Sequence, residues 1–283
     1  MTDSPLIFRS VAELRRAVAQ WRAAGEAVAL VPTMGALHAG HISLVEAART
    51  HAKRVVVSIF VNPTQFAPNE DFSAYPRTFE ADVAKLAAAG ADGCFAPLAS
   101  EMYPSGFVLQ VIPGGPALAG LEDRFRPEHF AGVALVVAKL LNQAQADAAC
   151  FGEKDFQQLA VIRRMAADLD IPTQIFGVPT KREADGLAMS SRNIYLSAEE
   201  RAAAPALAHA LNACAKAIHE GEPVIDAVAG ACDKVTAAGF IIDYLEARNA
   251  DTLAPVLTRE EGPIRLLVAA RLGKTRLIDN LAV

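Results

Sequence analysis

Basic residues do not outnumber acidic ones in this 283-residue chain, which has 27 lysines and arginines, 32 aspartates and glutamates, and a net charge of −5. A protein that binds mainly to the phosphate backbone of a nucleic acid normally has a basic excess. We therefore expect no nucleic acid as the main partner. A local basic pocket for a small anion is compatible with this balance.

Cysteine is scarce and long apolar runs are missing. The four cysteines are far apart and form no CxxC pair, which is typical of reduced thiols in a cytosolic protein. The most apolar window, 131–141, is too short to span a bilayer and includes Lys139. Residues 1–10 have neither the basic flank nor the apolar stretch of a signal peptide. Together these features predict a soluble, cytoplasmic protein with no membrane partner.

Hydrophobic residues make up 52% of the chain, enough for a large core. The apolar run 27–31 is followed by a turn with proline and glycine, a helical segment at 41–51 and a β-branched run at 54–61. The β-branched run does not alternate strictly, as expected for a strand buried on both faces. Strand, helix and strand in this order predict a βαβ unit in a parallel sheet.

The turn after the first strand of this unit is the segment 32–41, PTMGALHAGH. Its glycines let the backbone pass close to a ligand. His38 and His41 are three residues apart, so both rings lie on one face if a helix begins here. Two histidines beside free amides at a helix N-terminus predict a phosphate site. The alternative is a glycine turn with two surface histidines.

The second strand ends in the segment 62–66, NPTQF. Ligands of open α/β sheets bind beyond the carboxyl ends of the strands, so this segment is expected to share a pocket with the histidine turn. Asn62 and Gln65 could bond to a hydroxyl or carboxylate, or be ordinary turn residues. Further on, Asp82 in a predicted helix at 78–89 is either a metal ligand or a solvated helix acid.

Two later segments also combine charge with a turn. In GEKDFQQ at 152–158, Lys154 could neutralise nucleotide phosphates, Asp155 could accept from ribose hydroxyls and Gln158 could contact a second substrate, although Glu-Lys-Asp is a common exposed triplet. In MSSRN at 189–193, two serines and Arg192 suit an anion that gains charge during a reaction. The alternative for MSSRN is a turn before a helix capped by Ser197 and Glu200.

The rest of the chain is assigned from its periodicity. Helices are predicted over 10–24, 129–145, 202–220 and 224–238, and strands over 92–96, 107–111, 146–151, 240–248 and 264–271. The helix over 202–220 is predicted to continue through Pro205. The composition changes after MSSRN, and no further glycine-loop segment follows. We therefore place a domain boundary near residue 180.

Taken together, the segments resemble those of the pantoate–β-alanine ligase (pantothenate synthetase) family in kind and order. The matching segments are PTMGALHAGH at 32–41, FVNPTQF at 60–66, 71–78, GEKDFQQ at 152–158 and MSSRN at 189–193. HxGH alone would indicate only the broad nucleotidyltransferase superfamily. The resemblance implies an α/β fold, with a Rossmann-like parallel sheet in an N-terminal domain (1–180) that binds nucleotide and pantoate, and a smaller α+β C-terminal lid domain (181–283).

The resemblance also implies a reaction: ATP- and Mg²⁺-dependent condensation of pantoate with β-alanine, through pantoyl adenylate, in a homodimer. The residues it implies as catalytic are His38, His41, Lys154, Ser190, Ser191 and Arg192. Those it implies for ATP binding are Met34, Gly40, His41, Gly152, Lys154, Asp155, Met189, Ser190 and Arg192. Those it implies for pantoate and β-alanine are Met34, Asn62, Gln65 and Gln158, and it implies Asp82 for Mg²⁺.

Two positions depart from the family pattern. Ala39 stands where an acidic residue is common, and Phe156 where tyrosine is common, but neither position is assigned chemistry. Two other functions stay open at this point: a nucleotidyltransferase acting on a phosphorylated alcohol, and a non-catalytic nucleotide-binding module. The first gives no reason for Gln65 and Gln158, and the second gives none for four intact phosphate-binding side chains.

Overall fold

The computed structural model describes residues 4–67, 70 and 72–283. Asn69 and Asp71, at the start of the segment that precedes the helix of Asp82, lie outside the described residues. The strands are β1 (Leu6–Phe8), β2 (Val28–Thr33), β3 (Arg54–Ile59), β4 (Gly93–Phe95), β5 (Ala148–Gly152), β6 (Gln174–Val178), β7 (Ile241–Asn249), β8 (Ile264–Leu272) and β9 (Thr275–Ala282). The α-helices are α1 (Val11–Ala23), α2 (Ala39–His51), α3 (Phe79–Ala88), α4 (Ala99–Met102), α5 (Glu122–Phe125), α6 (His129–Ala144), α7 (Phe156–Asp168), α8 (Ala198–Ala203), α9 (Ala206–His219) and α10 (Val224–Ala237).

The chain forms two compact units. The first unit comprises the described residues of Met1–Ala117, Arg126–Glu153 and Gln158–Pro179. The second comprises Leu118–Phe125, Lys154–Gln157 and Thr180–Val283. The binding roles that the resemblance gives to 1–180 and 181–283 stay predictions.

The first unit is built on a six-stranded parallel sheet in the order β1-β4-β3-β2-β5-β6. The predicted βαβ unit is confirmed as β2, α2 and β3, and the predicted α/β fold with a Rossmann-like sheet is confirmed. The chain leaves β2 for β3 on one side, and β5 pairs with β2 on the other side. The carboxyl ends of β2 and β5 therefore form a switch point, where open α/β sheets bind ligands.

Both faces of this sheet are covered. Val56 of β3 belongs to one apolar cluster, whereas its neighbours Val55 and Val57 belong to another. Helices α1, α6 and α7 contribute to the first cluster and α2 and α3 to the second. Because alternate side chains of a strand point to opposite faces, a strand covered on both sides is mostly apolar rather than alternating. This confirms the prediction from the run at 54–61, which is rich in β-branched residues and does not alternate strictly.

The second unit contains the antiparallel sheet β7-β8-β9. Leu245 faces the helices α9 and α10, whereas Tyr244, on the opposite face, packs against Leu121. Glu122 accepts hydrogen bonds from the Tyr244 hydroxyl at 2.7 Å and from the Arg276 guanidinium at 2.8 and 2.9 Å. These contacts explain why the short segment 118–125 belongs to this unit.

Two predicted elements are wrong. The strand over 107–111 is irregular chain, and Val108 is 88% exposed. Its β-branched composition favours a pleated surface, but no described strand pairs with it. The helix over 202–220 is interrupted, since α8 ends at Ala203 and α9 begins at Ala206. Pro205 has no amide hydrogen and crowds the preceding turn, so the break follows from its ring.

No helix among the described residues is long and apolar enough to cross a membrane.

Candidate active site

The histidine turn joins β2 to α2. Gly35 and Ala36 both have left-handed backbone angles, with φ of +85° and +50°. Helix α2 then begins at Ala39, with His38 as its N-cap. The Nδ1 atom of His38 accepts a hydrogen bond from the amide of Gly40 at 3.1 Å, and Nδ1 of His41 accepts one from the amide of His38 at 3.2 Å. Two histidines thus form the reciprocal cap that serine and glutamate usually form.

This cap determines which ring atoms donate hydrogen bonds. An imidazole nitrogen that accepts a hydrogen bond carries no proton, so in the neutral rings of His38 and His41 the proton lies on Nε2. The ring centroids are 4.1 Å apart. The two neighbouring rings are therefore Nε2–H donors, the chemistry that phosphate oxygens need.

The backbone amides contribute less to a phosphate site here than the sequence pattern predicts. The amides of His38 and Gly40 donate to the histidine rings, and the amide of His41 donates to the carbonyl of His38 at 2.8 Å. Both histidines are half-buried and cap the helix, so the turn holds both rings in place, and their binding of phosphate stays a prediction.

Asp82 lies in α3 and is 1% exposed. Its Oδ2 accepts a hydrogen bond from the amide of Ala36 at 2.9 Å, and Oδ1 accepts one from the amide of Leu37 at 2.8 Å. The alternative of a solvated helix acid is therefore wrong. Among the described residues, no group of three histidine, cysteine, aspartate or glutamate side chains could hold a metal ion.

Three predicted pantoate residues meet at the end of β3. Asn62 is 1% exposed and donates from Nδ2 to Oε1 of Gln65 at 3.1 Å. Nε2 of Gln65 lies 3.2 Å from the sulfur of Met34. The same Asn62 amide group also donates to the Gly132 carbonyl at 3.2 Å, and its Oδ1 accepts from the Tyr103 hydroxyl at 2.8 Å. Asn62 is thus bonded within the protein and holds Gln65, the more exposed of the two amides.

Some residues that support this cluster are not singled out by the sequence. Gly132 of α6 allows the backbone of Thr64 and Gln65 to approach the helix, since a Cβ there would lie 2.8 Å from Cα of Gln65. A ring nitrogen of His129, Nδ1, lies 3.0 Å from the carbonyl oxygen of Gln65. A lone glycine in a helix with an otherwise buried apolar pattern is the one signal that could have pointed to Gly132.

The remaining site residues of the first unit follow β5. Gly152 is the last residue of β5, which pairs with β2 in the sheet. Gln158 is a half-buried residue of α7. Gly152 thus lies at the switch point, whose other strand leads into the histidine turn.

In the second unit, Lys154 and Asp155 form a single helical turn at Glu153–Asp155. Nζ of Lys154 lies 3.9 Å from Oδ2 of Asp155, and the lysine side chain is 20% exposed. The carbonyl oxygen of Lys154 accepts a hydrogen bond from Asn280 of β9 at 2.8 Å. The triplet is of intermediate burial and its backbone is bonded to a strand, while the Asp155 side chain is 47% exposed, so its role in binding nucleotide stays a prediction.

The MSSRN segment of the second unit also forms a helical turn. Ser190 caps this turn, because its Oγ accepts a hydrogen bond from the amide of Arg192 at 3.3 Å. Asn193 donates to the carbonyl of Ala188 at 3.1 Å, and Ala188 forms an isolated antiparallel bridge with Arg182. The guanidinium of Arg182 in turn contacts both carboxylate oxygens of Asp279 at 2.7 and 2.9 Å.

Met189 and Ser191 flank the Ser190 cap and are half-buried. The predicted helix cap just beyond this segment is confirmed, since Ser197 and Glu200 form the reciprocal bonds of a capping box. Arg182, Asp279 and Asn280 are the supporting residues that sequence reasoning missed. They act through β9, a strand that the sequence analysis did not predict.

Known proteins share the sequence and the fold of this chain. A family model described as Pantoate-beta-alanine ligase matches residues 6–282. The chain is 59% identical to a pantothenate synthetase of Rhodopseudomonas palustris over the full length of both proteins. Its fold is similar to a pantothenate synthetase of Thermus thermophilus, with a TM-score of 0.93 and 48% identity over 98% of each chain. It is also similar to a pantoate-beta-alanine ligase of Francisella tularensis that was solved in complex with beta-gamma ATP and beta-alanine, with a TM-score of 0.81 and 32% identity over 98% of this chain and 97% of the other.

Proposed function

The chain belongs to the pantoate–β-alanine ligase family, and from this premise we propose how its residues carry out the reaction. The reaction is the ATP-dependent condensation of pantoate with β-alanine to pantothenate, AMP and pyrophosphate, as the sequence analysis predicted. The observation that carries this function is the family match over residues 6–282. We propose that the reaction runs in two steps through an enzyme-bound pantoyl adenylate.

In the first step, a carboxylate oxygen of pantoate attacks the α-phosphorus of ATP and pyrophosphate leaves. In the second step, the amine of β-alanine attacks the carbonyl carbon of the adenylate, loses a proton and expels AMP. Neither step needs a side chain as a nucleophile. The protein has to hold the reactants in line and stabilise the negative charge that builds up on the phosphate.

His38 and His41 are proposed to bind the phosphates of ATP through Nε2–H. The support for this role is the pair of Nδ1 acceptor bonds, which fixes the tautomer before any ligand arrives. Gly40, which lies between the two histidines in the sequence, lets the nucleotide come close to the start of α2. Because the donors are already oriented, little energy is lost in aligning them during the reaction.

Lys154 and Arg192 are proposed to stabilise charge on the triphosphate. Arg192 forms forked bonds and is always charged, whereas a lysine ammonium acts as a compact point charge. Ser190 and Ser191 would add hydroxyl donors at the α-phosphate. The remaining residues of the predicted ATP set are Met34, Gly152, Asp155 and Met189, of which Gly152 and Asp155 are proposed to contact the nucleoside.

Gln65 and Gln158 are proposed to bind pantoate, with Met34 beside them. The support is the position of Gln65, whose side chain contacts Asn62 and Met34. Since Asn62 is buried and bonded internally, we assign it to holding Gln65 rather than to touching pantoate. A glutamine both donates and accepts hydrogen bonds, which suits the hydroxyl and carboxylate groups of pantoate.

Mg²⁺ is proposed to enter with ATP, as part of the substrate complex. The donor set of the protein does not fit a resident ion, because the described residues contain no cluster of three metal-binding side chains. Triphosphate oxygens and water are ligands that Mg²⁺ prefers. No step is therefore assigned to a protein-bound metal.

Two further properties rest on the resemblance and on composition alone. We propose that the chain forms a homodimer, as the family resemblance implies. The cytoplasmic location and the lack of a nucleic-acid partner stay predictions from cysteine usage and charge balance.

The two-step reaction is tested by isotope exchange together with product release. Labelled pyrophosphate should exchange into ATP when pantoate is present and β-alanine is omitted, because the adenylation step runs in reverse. AMP and pantothenate should appear only when ATP, pantoate and β-alanine are all present. Exchange that also requires β-alanine would exclude a free-standing adenylate step. Pyrophosphate release that ignores both pantoate and β-alanine would refute the function and indicate a different nucleotidyl acceptor.

A further inference from the structure

Helix α3 holds the histidine turn through three hydrogen bonds from two side chains. The carboxylate of Asp82 accepts from the amides of Ala36 and Leu37 at 2.9 and 2.8 Å. Nζ of Lys85 donates to the carbonyl oxygen of Leu37 at 2.5 Å. Residues three apart lie on one face of a helix, so both side chains reach the same short stretch of turn.

The stretch they hold is one that needs support. Ala36 has a φ of +50°, a conformation in which an L-residue crowds its own carbonyl. A strained residue of this kind persists only when its surroundings determine its conformation. Gly35 precedes it, where a Cβ would lie 3.2 Å from Oδ2 of Asp82, so the absence of a side chain lets the carboxylate reach the turn.

The turn leads directly into His38 and His41. Leu37, which is bonded to both Asp82 and Lys85, is adjacent to His38, the N-cap of α2. The ring of His38 bonds to Gly40, and the ring of His41 bonds to the amide of His38. Any shift of the chain at Leu37 therefore moves both rings and their Nε2–H donors.

The same contacts argue against Asp82 as a ligand of Mg²⁺. Each carboxylate oxygen already accepts a backbone amide, and the residue is 1% exposed. The ammonium of Lys85, bonded to the same turn, is a positive charge that would oppose a second cation nearby. We propose that Asp82 and Lys85 form a clamp that positions His38 and His41 for adenylyl transfer, and that Asp82 does not bind the metal.

This inference rests on the proposed function for its kinetic effect, but not for its structural effect. The variant Asp82→Asn keeps one acceptor oxygen and turns an NH₂ group toward the other amide, so one bond of the clamp is lost. The expected result is a fall in kcat for pantoate-dependent pyrophosphate exchange of about 10- to 100-fold, since a misplacement of about 1 Å can cost about 10²-fold. The Mg²⁺ concentration for half-maximal rate should stay within about twofold of the wild-type value, because the metal is carried by ATP.

A spectroscopic readout separates positioning from simple loss of fold. The ¹⁵N chemical shifts of the His38 and His41 side chains report which ring nitrogen carries the proton. Wild-type protein should show the Nε2–H form for both rings without ligand, and Asp82→Asn should show mixed tautomers for at least one. Since Glu80 is an exposed acid of the same helix, Glu80→Gln serves as the matched control and should change neither the shifts nor the rate.

Lys85→Met and Lys85→Arg cover the case in which Asp82→Asn fails to fold. Lys85 is an exposed residue, so its replacement should leave the fold intact. Lys85→Met should lower kcat by about 3- to 10-fold, in line with the net contribution of one ordinary hydrogen bond at an exposed residue, and Lys85→Arg should restore most of it.

A tenfold or larger rise in the Mg²⁺ requirement of Asp82→Asn, with kcat recovered at high Mg²⁺, would overturn the proposal in favour of a metal ligand. Unchanged histidine shifts in both Asp82→Asn and Lys85→Met would overturn the clamp itself. If wild-type protein failed to catalyse the exchange, the proposed function would fail while the histidine shifts would still decide on the clamp.

Discussion

Replacement of Gly132 by alanine tests how closely helix α6 supports the predicted pantoate site. An alanine Cβ at this position would lie 2.8 Å from Cα of Gln65 and closer still to the carbonyl of Thr64. Carbon atoms in contact are normally about 3.5–4.0 Å apart, so the backbone of residues 64 and 65 must move by about 1 Å. These are backbone atoms, which cannot rotate away as a side chain would.

The size of the effect follows from two opposing terms. Glycine to alanine inside a helix normally stabilises a protein by about 0.5–1 kcal/mol. Overpacking of a well-packed site costs about 1–3 kcal/mol. We therefore expect Gly132→Ala to lower the free energy of unfolding by about 0–2.5 kcal/mol. Because Gln65 moves with the displaced chain, kcat/KM for pantoate should fall by about 10- to 100-fold.

The assay compares Gly132→Ala with Gly230→Ala. Gly230 lies inside α10, and a Cβ there meets no atom within 4 Å. Its replacement should raise stability slightly and leave the kinetics unchanged. Urea unfolding and initial rates over a range of pantoate concentrations measure both effects. If Gly132→Ala behaved like Gly230→Ala in both measurements, the close approach of α6 to Gln65 would not matter and the reasoning would be refuted.

Three further predictions concern charge and burial. Lys154→Ala should slow adenylation by about 10²-fold or more with the fold intact, and near-wild-type turnover would remove this lysine from the mechanism. Arg276→Met leaves the buried carboxylate of Glu122 without its bidentate partner, so the free energy of unfolding should fall by about 3–5 kcal/mol. A loss below about 1 kcal/mol in urea unfolding would contradict this. Burial raises the pKa of the Cys94 thiol to about 12 and that of Cys150 to about 11, from an ordinary value of 9.0. In the unfolded chain these thiols ionise at a lower pH than in the folded protein, so the free energy of unfolding should be fully present below about pH 9 and fall as pH rises toward 11. Urea unfolding at pH 8 and pH 10 measures this fall, which should be smaller in a Cys94→Ala/Cys150→Ala double variant.

Local patterns were enough to predict much of the first unit. The run at β3 reads as a strand buried on both faces because each residue in it must pack against one of two helical layers. The segment around His38 and His41 reads as a ligand-binding turn because strand, glycine turn and helix follow each other within a few residues. In both cases the signal lies in the residue types and spacing of one short segment, even though the helices that cover β3 include the distant α6 and α7.

Predictions failed where the decisive partner is distant in sequence. The run at 107–111 has the composition of a strand but no described strand pairs with it, whereas β9 contains charged residues and still pairs with β8 along its whole length. Strand pairing is decided by the partner edge, which a single segment does not contain. Pro205 is different, since its effect is local and the break it causes could have been predicted.

The family, the parallel α/β fold and the residue types that suit phosphate and pantoate can be predicted from the chain alone, because they depend on spacing and side-chain chemistry. What those residues contact can be read only from the folded protein. Asp82 accepts a hydrogen bond from Leu37, 45 residues earlier in the chain, and the carbonyl of Gly132 accepts one from Asn62, 70 residues earlier. The physical reason is that hydrogen bonds and steric contacts depend on distance in space, so these roles become visible only when the folded sheet and helices bring the distant segments together.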